Sequence, residues 1–305
     1  MTSAVEDMEF MKPPMVTFRQ MLPGIFLLEV PFGPVWTGVY LLTGEKNILI
    51  DTAAKDTDVD YYIVPALRDL GMSVDDIDYL VNTHCHGDHI GGNYRLRQLG
   101  DFQVAAFELA APKIEDPVPY AIQTRTKFPE HSPVPQSFLK GIPVDIVLKD
   151  GDILADRLQV IHTPGHDNDC VCWYDIPTKT IITGDSLQAN GTICQGVGFY
   201  KSLADYEYTL NRLIQMEIEN ILCGHDYVGL GYVIREKENV HNALFTCKCY
   251  VSEYDSYIRA CMKLGVSDPS EIAESLIRSK GCGMPEHLFM ALYTVTEHIQ
   301  QINNK

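Results

Sequence analysis

Four places in this chain share one arrangement, in which a short apolar or β-branched run leads into residues of metal-binding types. The runs and the residues that follow them are Tyr79–Val81 before the segment 83–89, Leu158–Ile161 before His162 to His166, Thr180–Ile182 before Gly184-Asp185, and Asn220–Leu222 before Gly224-His225. Runs of this length and composition are typical of strands. Strands that end side by side bring their C-terminal loops to one edge of a sheet, where binding sites usually form. The pattern therefore predicts a site at one sheet edge.

The segment Thr83-His84-Cys85-His86-Gly87-Asp88-His89 carries three imidazoles and a carboxylate within six residues. Histidine and aspartate are ligands that suit zinc, iron or manganese. Because alternate residues of an extended segment face the same side, His84 and His86 can share one metal ion. Asp88 and His89 follow a turn later and are placed to hold a second. The alternative is a polar surface loop with unrelated histidines, but histidines seldom cluster in this way without a metal.

The charge of the chain limits the partners that it can have. Lys and Arg number 24 against 41 Asp and Glu, which gives a formal net charge of −17 over 305 residues. Nucleic acid and anionic membranes bind clustered Lys and Arg, so we expect neither as a partner. Bound dications would offset part of this charge locally, so that a pocket for a small-molecule substrate can be positive while the surface is acidic.

The cysteines and the N-terminal residues bear on location. Nine cysteines are present, an odd number, and residues 1–14 hold no apolar run of signal-peptide length. No stretch approaches the ~20 apolar residues of a membrane span. These features predict a reduced, cytoplasmic protein with free thiols. The pairs Cys170/Cys172 and Cys247/Cys249 suggest a further metal site, but we interpret Cys170 and Cys172 as small buried residues on one face of a strand.

Strand and helix patterns alternate through the first 235 residues. Strand-like segments at 24–30, 38–42, 47–51 and 102–107 are combined with helix-like ones at 57–70 and 91–99. This alternation favours an α/β fold with two mixed sheets and helices outside, a four-layer αβ/βα sandwich. Pro65 lies inside the helical pattern at 57–70 and predicts a kink or a later helix start.

Two loop-like segments lie near the predicted site. Residues 108–143 hold seven prolines and break the alternation, so we expect an irregular insertion, either a lid beside the site or an inert surface excursion. Residues 188–201 follow Asp185, are rich in glycine and end in Phe199-Tyr200-Lys201. Their aromatic side chains either line the pocket or cap the core.

From about residue 236 the composition changes to helix-forming residues. An amphipathic stripe runs through 236–265, Pro269 opens a further helix, and 285–302 makes another. We therefore divide the chain into an αβ/βα domain at 1–235, which includes the insertion at 108–143, and a helical C-terminal extension at 236–305. The extension can shape the substrate pocket or a homodimer contact.

In chain order, the motifs His-x-His-x-Asp-His, Pro-Gly-His, Gly-Asp and Gly-His resemble those of the metallo-β-lactamase superfamily. In particular they resemble the two-metal branch that holds glyoxalase II, the lactonases and the phosphodiesterases. The resemblance covers roughly residues 24–230 and leaves no ligand position substituted. It implies that Asp51 braces the ligand loop without binding a metal itself. It also implies a ligand set, which is His84, His86 and His166 for one metal, Asp88, His89 and His225 for the other, and Asp185 as the bridge between the two.

The resemblance further implies a hydrolase in which two divalent metal ions activate a shared water. We expect zinc, with iron or manganese as alternatives, because His and Asp ligands accept all three. Asp88 is the residue that we expect to orient the hydroxide and to move a proton. The expected substrate is a small ester, lactone or thioester.

Differences between this sequence and individual branches of the superfamily limit the activities that we expect. At the position that corresponds to Asp185, true β-lactamases have Cys or Ser. At the position that corresponds to His86, the flavodiiron branch has Glu. The acidic C-terminal region has no counterpart of the basic residues by which glyoxalase II binds glutathione. Three alternatives stay open: a phosphodiesterase for a small phosphorylated metabolite, a mononuclear iron persulfide dioxygenase that uses part of the same ligand set, and a non-catalytic metal-binding protein.

Overall fold

The computed structural model describes residues 16–134 and 137–304, which form two mixed β-sheets with helices outside them. Residues 1–14, in which we found no apolar run of signal-peptide length, lie outside the described residues. Pro135 of the segment 108–143 also lies outside them.

The first sheet has seven strands, which neighbour one another in chain order. They are β1 (Arg19–Leu22), β2 (Ile25–Phe32), β3 (Val35–Leu42), β4 (Ile48–Ile50), β5 (Tyr79–Val81), β6 (Gln103–Phe107) and β7 (Ile146–Leu148). Strands β1 to β4 are antiparallel, and β4 to β7 are parallel. The hairpin between β3 and β4 spans the short turn around Gly44. The parallel half places the loop after β5 at the edge where the ligands were expected.

The second sheet has six strands in the order β13-β12-β11-β10-β9-β8. They are β8 (Ile153–Leu154), β9 (Leu158–His162), β10 (Val171–Asp175), β11 (Thr180–Ile182), β12 (Asn220–Tyr227) and β13 (Gly231–Arg235). Only β11 and β12 run parallel among these neighbours. Because they are parallel, the residues that follow Ile182 and Leu222 reach the same edge of the sheet.

Alternate residues of the second sheet face two different cores, since successive side chains of a strand point to opposite faces. Trp173 and Leu222 pack in a core shared with the first sheet, whereas Ile181 and Cys223 pack in a core shared with the C-terminal helices. The indole of Trp173 also donates a hydrogen bond to the carbonyl of Asn82, 3.1 Å away beside the first sheet. These two cores give the layers helix, sheet, sheet and helix, which confirms the predicted αβ/βα sandwich.

The helices fall into an N-terminal and a C-terminal set. The N-terminal set is α1 (Asp56–Asp58), a π-helical turn (Val59–Ile63), α2 (Val64–Asp69), a 3-10 turn (Val74–Asp76), α3 (Gly87–Ile90), α4 (Asn93–Arg97), α5 (Ala111–Glu115) and α6 (Pro117–Thr126). The C-terminal set is α7 (Leu203–Ile214), α8 (Lys237–Lys263), α9 (Pro269–Lys280), a 3-10 turn (Pro285–His287) and α10 (Leu288–Asn303). Within the described residues, no helix combines the length and hydropathy that crossing a membrane requires.

The helix predicted at 57–70 is present, but Pro65 neither delays its start nor ends it. The helical segment begins at Asp56, and a π-helical turn immediately precedes the turn that holds Pro65. Proline has no N–H to donate and its ring crowds the preceding turn. A widened turn at that point accommodates the ring without breaking the segment.

The expectation that residues 108–143 form an irregular insertion is wrong for its first half. Helices α5 and α6 occupy residues 111–115 and 117–126, with Pro112 and Pro117 in their first turns. Proline is well tolerated there, because the first N–H groups of a helix have no partner within the helix and the fixed φ suits it. Among the described residues, those between Thr126 and Ile146 belong to no helix or strand.

The three helices expected after residue 236 are confirmed as α8, α9 and α10. Leu244 and Tyr254 of α8 and Leu292 of α10 share a core with Ile221 of the second sheet. The helices are therefore packed onto the sheet rather than held apart from it. We keep the boundary at 235 as a proposal about sequence organisation.

Candidate metal centre

The seven residues expected to bind metal lie together where the two sheets meet. The ligand atoms fall into two groups, and within each group the atoms lie within 4.8 Å of one another. The groups are His84, His86, His166 and Asp185, and Asp88, His89 and His225. All seven side chains come from short segments that follow or end the strands β5, β9, β11 and β12.

Asp185 lies between the two groups and turns one carboxylate oxygen to each. Its Oδ2 is 3.5 Å from Nε2 of His166 and 4.0 Å from Nε2 of His84. Its Oδ1 is 3.4 Å from Nε2 of both His89 and His225. A single side chain is thus in the position of a bridge.

Asp88 completes the second group and faces a cavity that opens onto the centre and is described below. Its Oδ2 is 3.3 Å from Nε2 of His225 and 3.7 Å from Nε2 of His89. Burial opposes ionisation of this carboxyl, but the two imidazoles hold its pKa well below the usual range. Asp88 is therefore a carboxylate at neutral pH.

Four of the imidazoles have a polar partner on the ring nitrogen that points away from the centre. These contacts are His84 Nδ1 with Thr83 Oγ1 at 3.1 Å, His89 Nδ1 with Asp51 Oδ2 at 2.8 Å, His166 Nδ1 with the Phe199 carbonyl at 2.8 Å, and His225 Nδ1 with the Trp36 carbonyl at 2.6 Å. Carbonyls and carboxylates only accept hydrogen bonds, so the last three partners assign the proton to Nδ1. The lone pair of Nε2 is then directed at the centre, as metal-binding histidines require.

His86 has the opposite orientation. Its Nε2 lies 3.4 Å from Oδ2 of Asp167, and its Nδ1 lies 2.9 Å from Nε2 of His166. With the His86 proton on the side of Asp167, the two facing nitrogens are both acceptors. A cation between or beside them would stabilise this contact.

Three buried polar atoms test whether the residues fit a metal. His84 Nε2, His89 Nε2 and Asp185 Oδ1 are buried and have no hydrogen-bond partner. Leaving such atoms unpaired inside a protein costs free energy, and all three are turned into the centre. Imidazole and carboxylate donors suit zinc, iron and manganese. The residues present therefore fit divalent metal ions.

Burial keeps the imidazoles of the first group neutral. It lowers the pKa of His84 well below the ordinary value, and together with the positive charge of Lys201 it lowers the pKa of His86 to about 3. Both imidazoles are therefore unprotonated at neutral pH, the form in which histidine binds a metal.

In the second group, the neighbouring carboxylates favour the protonated form of His225. Burial disfavours a charge on His225, yet Asp185 and Asp88 raise its pKa to about 10. The same negative charges would favour a dication in that place, because a proton and a metal ion compete for one nitrogen.

Asp51 braces the ligand loop, as the resemblance implied. Its carboxylate accepts hydrogen bonds from the backbone N–H and the hydroxyl of Thr83, both at 2.8 Å, in addition to that from His89. The residue adopts φ 64, a left-handed conformation that non-glycine residues seldom occupy. These hydrogen bonds and a longer one from Asn82 Nδ2, at 3.5 Å, hold this conformation in place.

The backbone conformation and the close packing at position 184 require the glycine that precedes Asp185. Its φ is 48, and a Cβ atom added there would lie 2.3 Å from the hydroxyl oxygen of Thr83. Only glycine allows the end of β11 to approach the ligand loop so closely. This approach sets the position of the Asp185 carboxylate.

A buried ionic cluster beside His86 was not predicted from the sequence. Asp167 accepts a hydrogen bond from Tyr120 and forms ion pairs with Lys201 and with Lys113, the latter at 3.3 Å. Lys113 also pairs with Asp169 at 2.6 Å. The only sequence feature that pointed to this cluster was the position of Asp167 directly after His166.

Two adjoining cavities open onto the centre. One, of about 200 Å³, is lined by Asp88 and by Phe32, Val35 and Met290. The other, of about 330 Å³, shares several of these walls and extends along α6. Phe199 lines both cavities, whereas its neighbour Tyr200 is buried in the core, so both interpretations of the segment 188–201 hold.

With this geometry described, comparison with known proteins identifies the family. The model of the metallo-beta-lactamase superfamily matches residues 30–225, more than half of the chain. The chain belongs to this superfamily. Its similarity to the acyl-coenzyme A thioesterase of Homo sapiens is 27% identity over 61% of this chain and 72% of that protein. Its similarity to the mitochondrial persulfide dioxygenase of Bos taurus is 26% identity over 81% and 85%.

A solved structure supports the fold independently. The metallo-beta-lactamase family protein from Thermus thermophilus superposes with a TM-score of 0.71 at 22% sequence identity, over 93% of this chain and 95% of that one. At 93% of the chain, the superposition covers more residues than the family match at 30–225. The superfamily is enzymatic, and the described residues of this chain include two groups of His and Asp side chains that could hold metal ions.

Proposed function

We propose that this protein is a metal-dependent hydrolase that uses water activated by two divalent metal ions to cleave a small ester, lactone or thioester. The observation that carries the proposal is the position of Asp185, whose two oxygens face the two separate ligand groups. The proposed ligands are the seven residues of those groups, with His84, His86 and His166 on one ion, Asp88, His89 and His225 on the other, and Asp185 on both. Zinc is the metal that we propose first, and iron and manganese are the alternatives.

Divalent metal ions held by these residues would lower the pKa of water and would polarise the oxygen of the scissile bond. The protein itself supplies position and proton handling. Asp88 is ionised and lies on the cavity wall, so its carboxylate can accept a hydrogen bond from the attacking water and orient it. We propose that it also moves a proton during turnover. Asp185 keeps the two ligand groups at a fixed separation.

The walls of the cavity favour an acyl substrate. Phe32, Phe199 and Met290 form an apolar surface next to Asp88, which excludes water and matches a hydrocarbon chain. The similarity to an acyl-coenzyme A thioesterase supports a thioester within the proposed class.

The experiment that tests this proposal is a substrate panel with protein loaded separately with zinc, manganese or iron. The panel contains thioesters, esters, lactones and phosphodiesters of small acids and alcohols. We expect hydrolysis of an ester-type bond at a rate at least about a hundredfold above that of Asp185→Asn protein. Faster cleavage of phosphodiesters, or no metal-dependent hydrolysis of any compound, would contradict the proposal.

A second candidate function is that of an iron-dependent persulfide dioxygenase. It is favoured by the similarity to the Bos taurus persulfide dioxygenase over 81% of this chain, and it needs one iron on part of the same ligand set. Oxygen consumption in the presence of a persulfide and iron-loaded protein separates the two functions. Oxygen uptake in proportion to the persulfide consumed would favour the dioxygenase over the hydrolase.

We also propose that the protein is cytoplasmic, that its substrate is a small molecule, and that it binds neither nucleic acid nor a membrane. All nine cysteines are free, and six of them are buried, in keeping with a reducing compartment. The net charge of −17 works against polyanionic partners. A homodimer is the oligomeric state that we propose to test, by sedimentation velocity.

A further inference from the structure

Arg125 is a half-buried cation in the wall of the larger cavity, near the C-terminal end of α6. Its Nε atom is buried and has no hydrogen-bond partner. Nη1 donates to the hydroxyl of Thr124 at 3.1 Å, and the guanidinium carbon lies 5.0 Å from the ring centroid of Phe289. No ion pair in the described part of the chain involves Arg125. The carboxylate of Asp88 acts on this guanidinium electrostatically, but no carboxylate of the described residues lies within ion-pair distance of it.

Three lysines near the centre, in the described part of the chain, are each paired with a carboxylate. Lys201 pairs with Asp167, Lys113 pairs with Asp169, and Lys127 lies 3.7 Å from Glu297. Glu286 lines the same cavity as Arg125, but it is exposed and forms no ion pair with it. The contrast singles out Arg125.

A partly buried guanidinium without an ion pair costs free energy of desolvation, and arginine stays charged at every physiological pH. Stacking on the ring of Phe289 limits the motion of its planar fork. A fork held in this way forms two parallel hydrogen bonds with a carboxylate or a phosphate. Asp88 and His86 line the same cavity, so a bound molecule can reach both the guanidinium and the metal centre.

We propose that Arg125 binds an anionic group of the substrate, a carboxylate or a phosphate, at a distance from the bond that is cleaved. This inference rests on the proposed hydrolase function and adds the substrate class to it. The walls of this cavity include the apolar side chains of Phe199, Phe289 and Met290. The substrate is accordingly an ester or thioester with an apolar middle and a negatively charged end.

The kinetic test uses matched pairs of thioesters that differ only in one terminal group, a methyl in one member and a carboxylate in the other. One pair carries the group on the acyl half, a second on the thiol half, and a third replaces the carboxylate with a phosphate monoester. We expect wild-type kcat/KM to favour an anionic member by about tenfold to a hundredfold. Arg125→Gln should remove the preference, and Arg125→Lys should restore part of it.

Arg278→Gln is the matched control, because Arg278 is exposed and pairs with Glu274 on α9. It should leave both rates and preference unchanged. A wild-type enzyme with no charge preference, or an Arg125→Gln enzyme that keeps the preference, would overturn the proposal. The wild-type comparison needs no variant, so it decides the matter even if a substitution prevents folding.

An equilibrium measurement separates this proposal from the hydrolase itself. Calorimetry compares binding of adipate and hexanoate, of equal length, to metal-loaded protein. We expect adipate to bind at least about tenfold more tightly, and Arg125→Gln to abolish the difference. If no ester, lactone or thioester is hydrolysed, the proposed function fails, and this binding comparison alone supports or overturns the role of Arg125.

Discussion

Asp185 is the residue on which both ligand groups depend, because its two oxygens face different groups. Asp185→Asn replaces one oxygen with an amide nitrogen and removes the charge. We expect bound metal to fall and hydrolysis to drop by about a hundredfold or more, because both effects follow from losing the bridge. Metal content and turnover are measured on the same sample. Asp101→Asn, at a fully exposed carboxylate, is the control; full metal content with full activity in the Asp185 variant would contradict the assignment.

Asp88 is the residue that we expect to handle protons. Its carboxylate lies on the cavity wall and is ionised at neutral pH. Asp88→Asn keeps the size of the side chain but cannot accept a proton, so kcat should fall by about a hundredfold. Steady-state kinetics with saturating metal measure this effect. An unchanged kcat would remove Asp88 from the mechanism.

Asp167 positions His86 rather than acting on the substrate. Its carboxylate is 3.4 Å from Nε2 of His86 and is balanced by Lys201. Asp167→Asn should weaken metal affinity by about tenfold to a hundredfold, since a partner that orients a ligand tunes the metal site. Competition with a chelator measures the affinity, and the visible spectrum of cobalt-loaded protein reports the ligand geometry. Affinity and spectrum identical to those of the wild type would show that Asp167 has no positioning role.

At the scale of single residues, the sequence predicted which side chains come together at the centre, but it did not predict the residues that support them. Each ligand lies in a short motif after a strand, so neighbouring residues in the sequence identify it. Asp167 and Lys201 are 34 residues apart in the chain, and Lys113 and Asp169 are 56 apart. Only the tertiary fold brings such pairs together, and no local pattern marks them.

Among the elements, helix α10 supports the centre although it lies outside the family match. The hydroxyl of Thr294 donates to the carbonyl of Gly198 at 2.6 Å and accepts from the N–H of Tyr200 at 3.2 Å. Between these two residues lies Phe199, whose carbonyl accepts the Nδ1 proton of His166. The C-terminal helix therefore fixes the loop that orients one ligand.

Thr294→Val removes both of these hydrogen bonds at nearly constant volume. We expect the free energy of unfolding to fall by about 1–3 kcal/mol, because a buried carbonyl and a buried N–H lose their partner. Urea unfolding measures the change. Thr296→Val is the matched control on the same helix, since the hydroxyl of Thr296 is buried without a hydrogen-bond partner. Equal destabilisation by the two substitutions would contradict the account.

The elements differ in how far the sequence predicted them. Strands and C-terminal helices follow from clear apolar periods, whereas α6 does not. Its buried residues Pro117, Tyr120, Ala121 and Thr124 recur at helical spacing. They are chemically mixed, however, and proline and threonine are not apolar markers. Hydropathy therefore misses this face, and counting prolines as breakers conceals a helix that begins with one.

For the whole molecule, metal binding and stability should be linked. His84 Nε2, His89 Nε2 and Asp185 Oδ1 are buried without partners, and a metal would satisfy them. A ligand present at a hundred times its Kd stabilises the folded state by about 2.7 kcal/mol. We expect Tm to fall by several degrees when a chelator removes the metal, as measured by calorimetry. Asp185→Asn protein should show a much smaller shift, and an unchanged wild-type Tm would be the contrary result.

The layered architecture was predictable as a whole because strand and helix patterns alternate along the chain. The shared core of the second sheet and the C-terminal helices was not, because it depends on packing that brings residues such as Ile221 and Leu292 into one cluster. Which residues of the outer helices reach the site, Arg125 among them, also depends on this packing.

The measurement that tests the central claim most directly is elemental analysis of the protein purified without added metal. The two ligand groups and the bridging position of Asp185 predict close to two atoms of zinc, manganese or a mixture per chain. A single iron per chain, or no bound metal, would contradict the two-metal hydrolase.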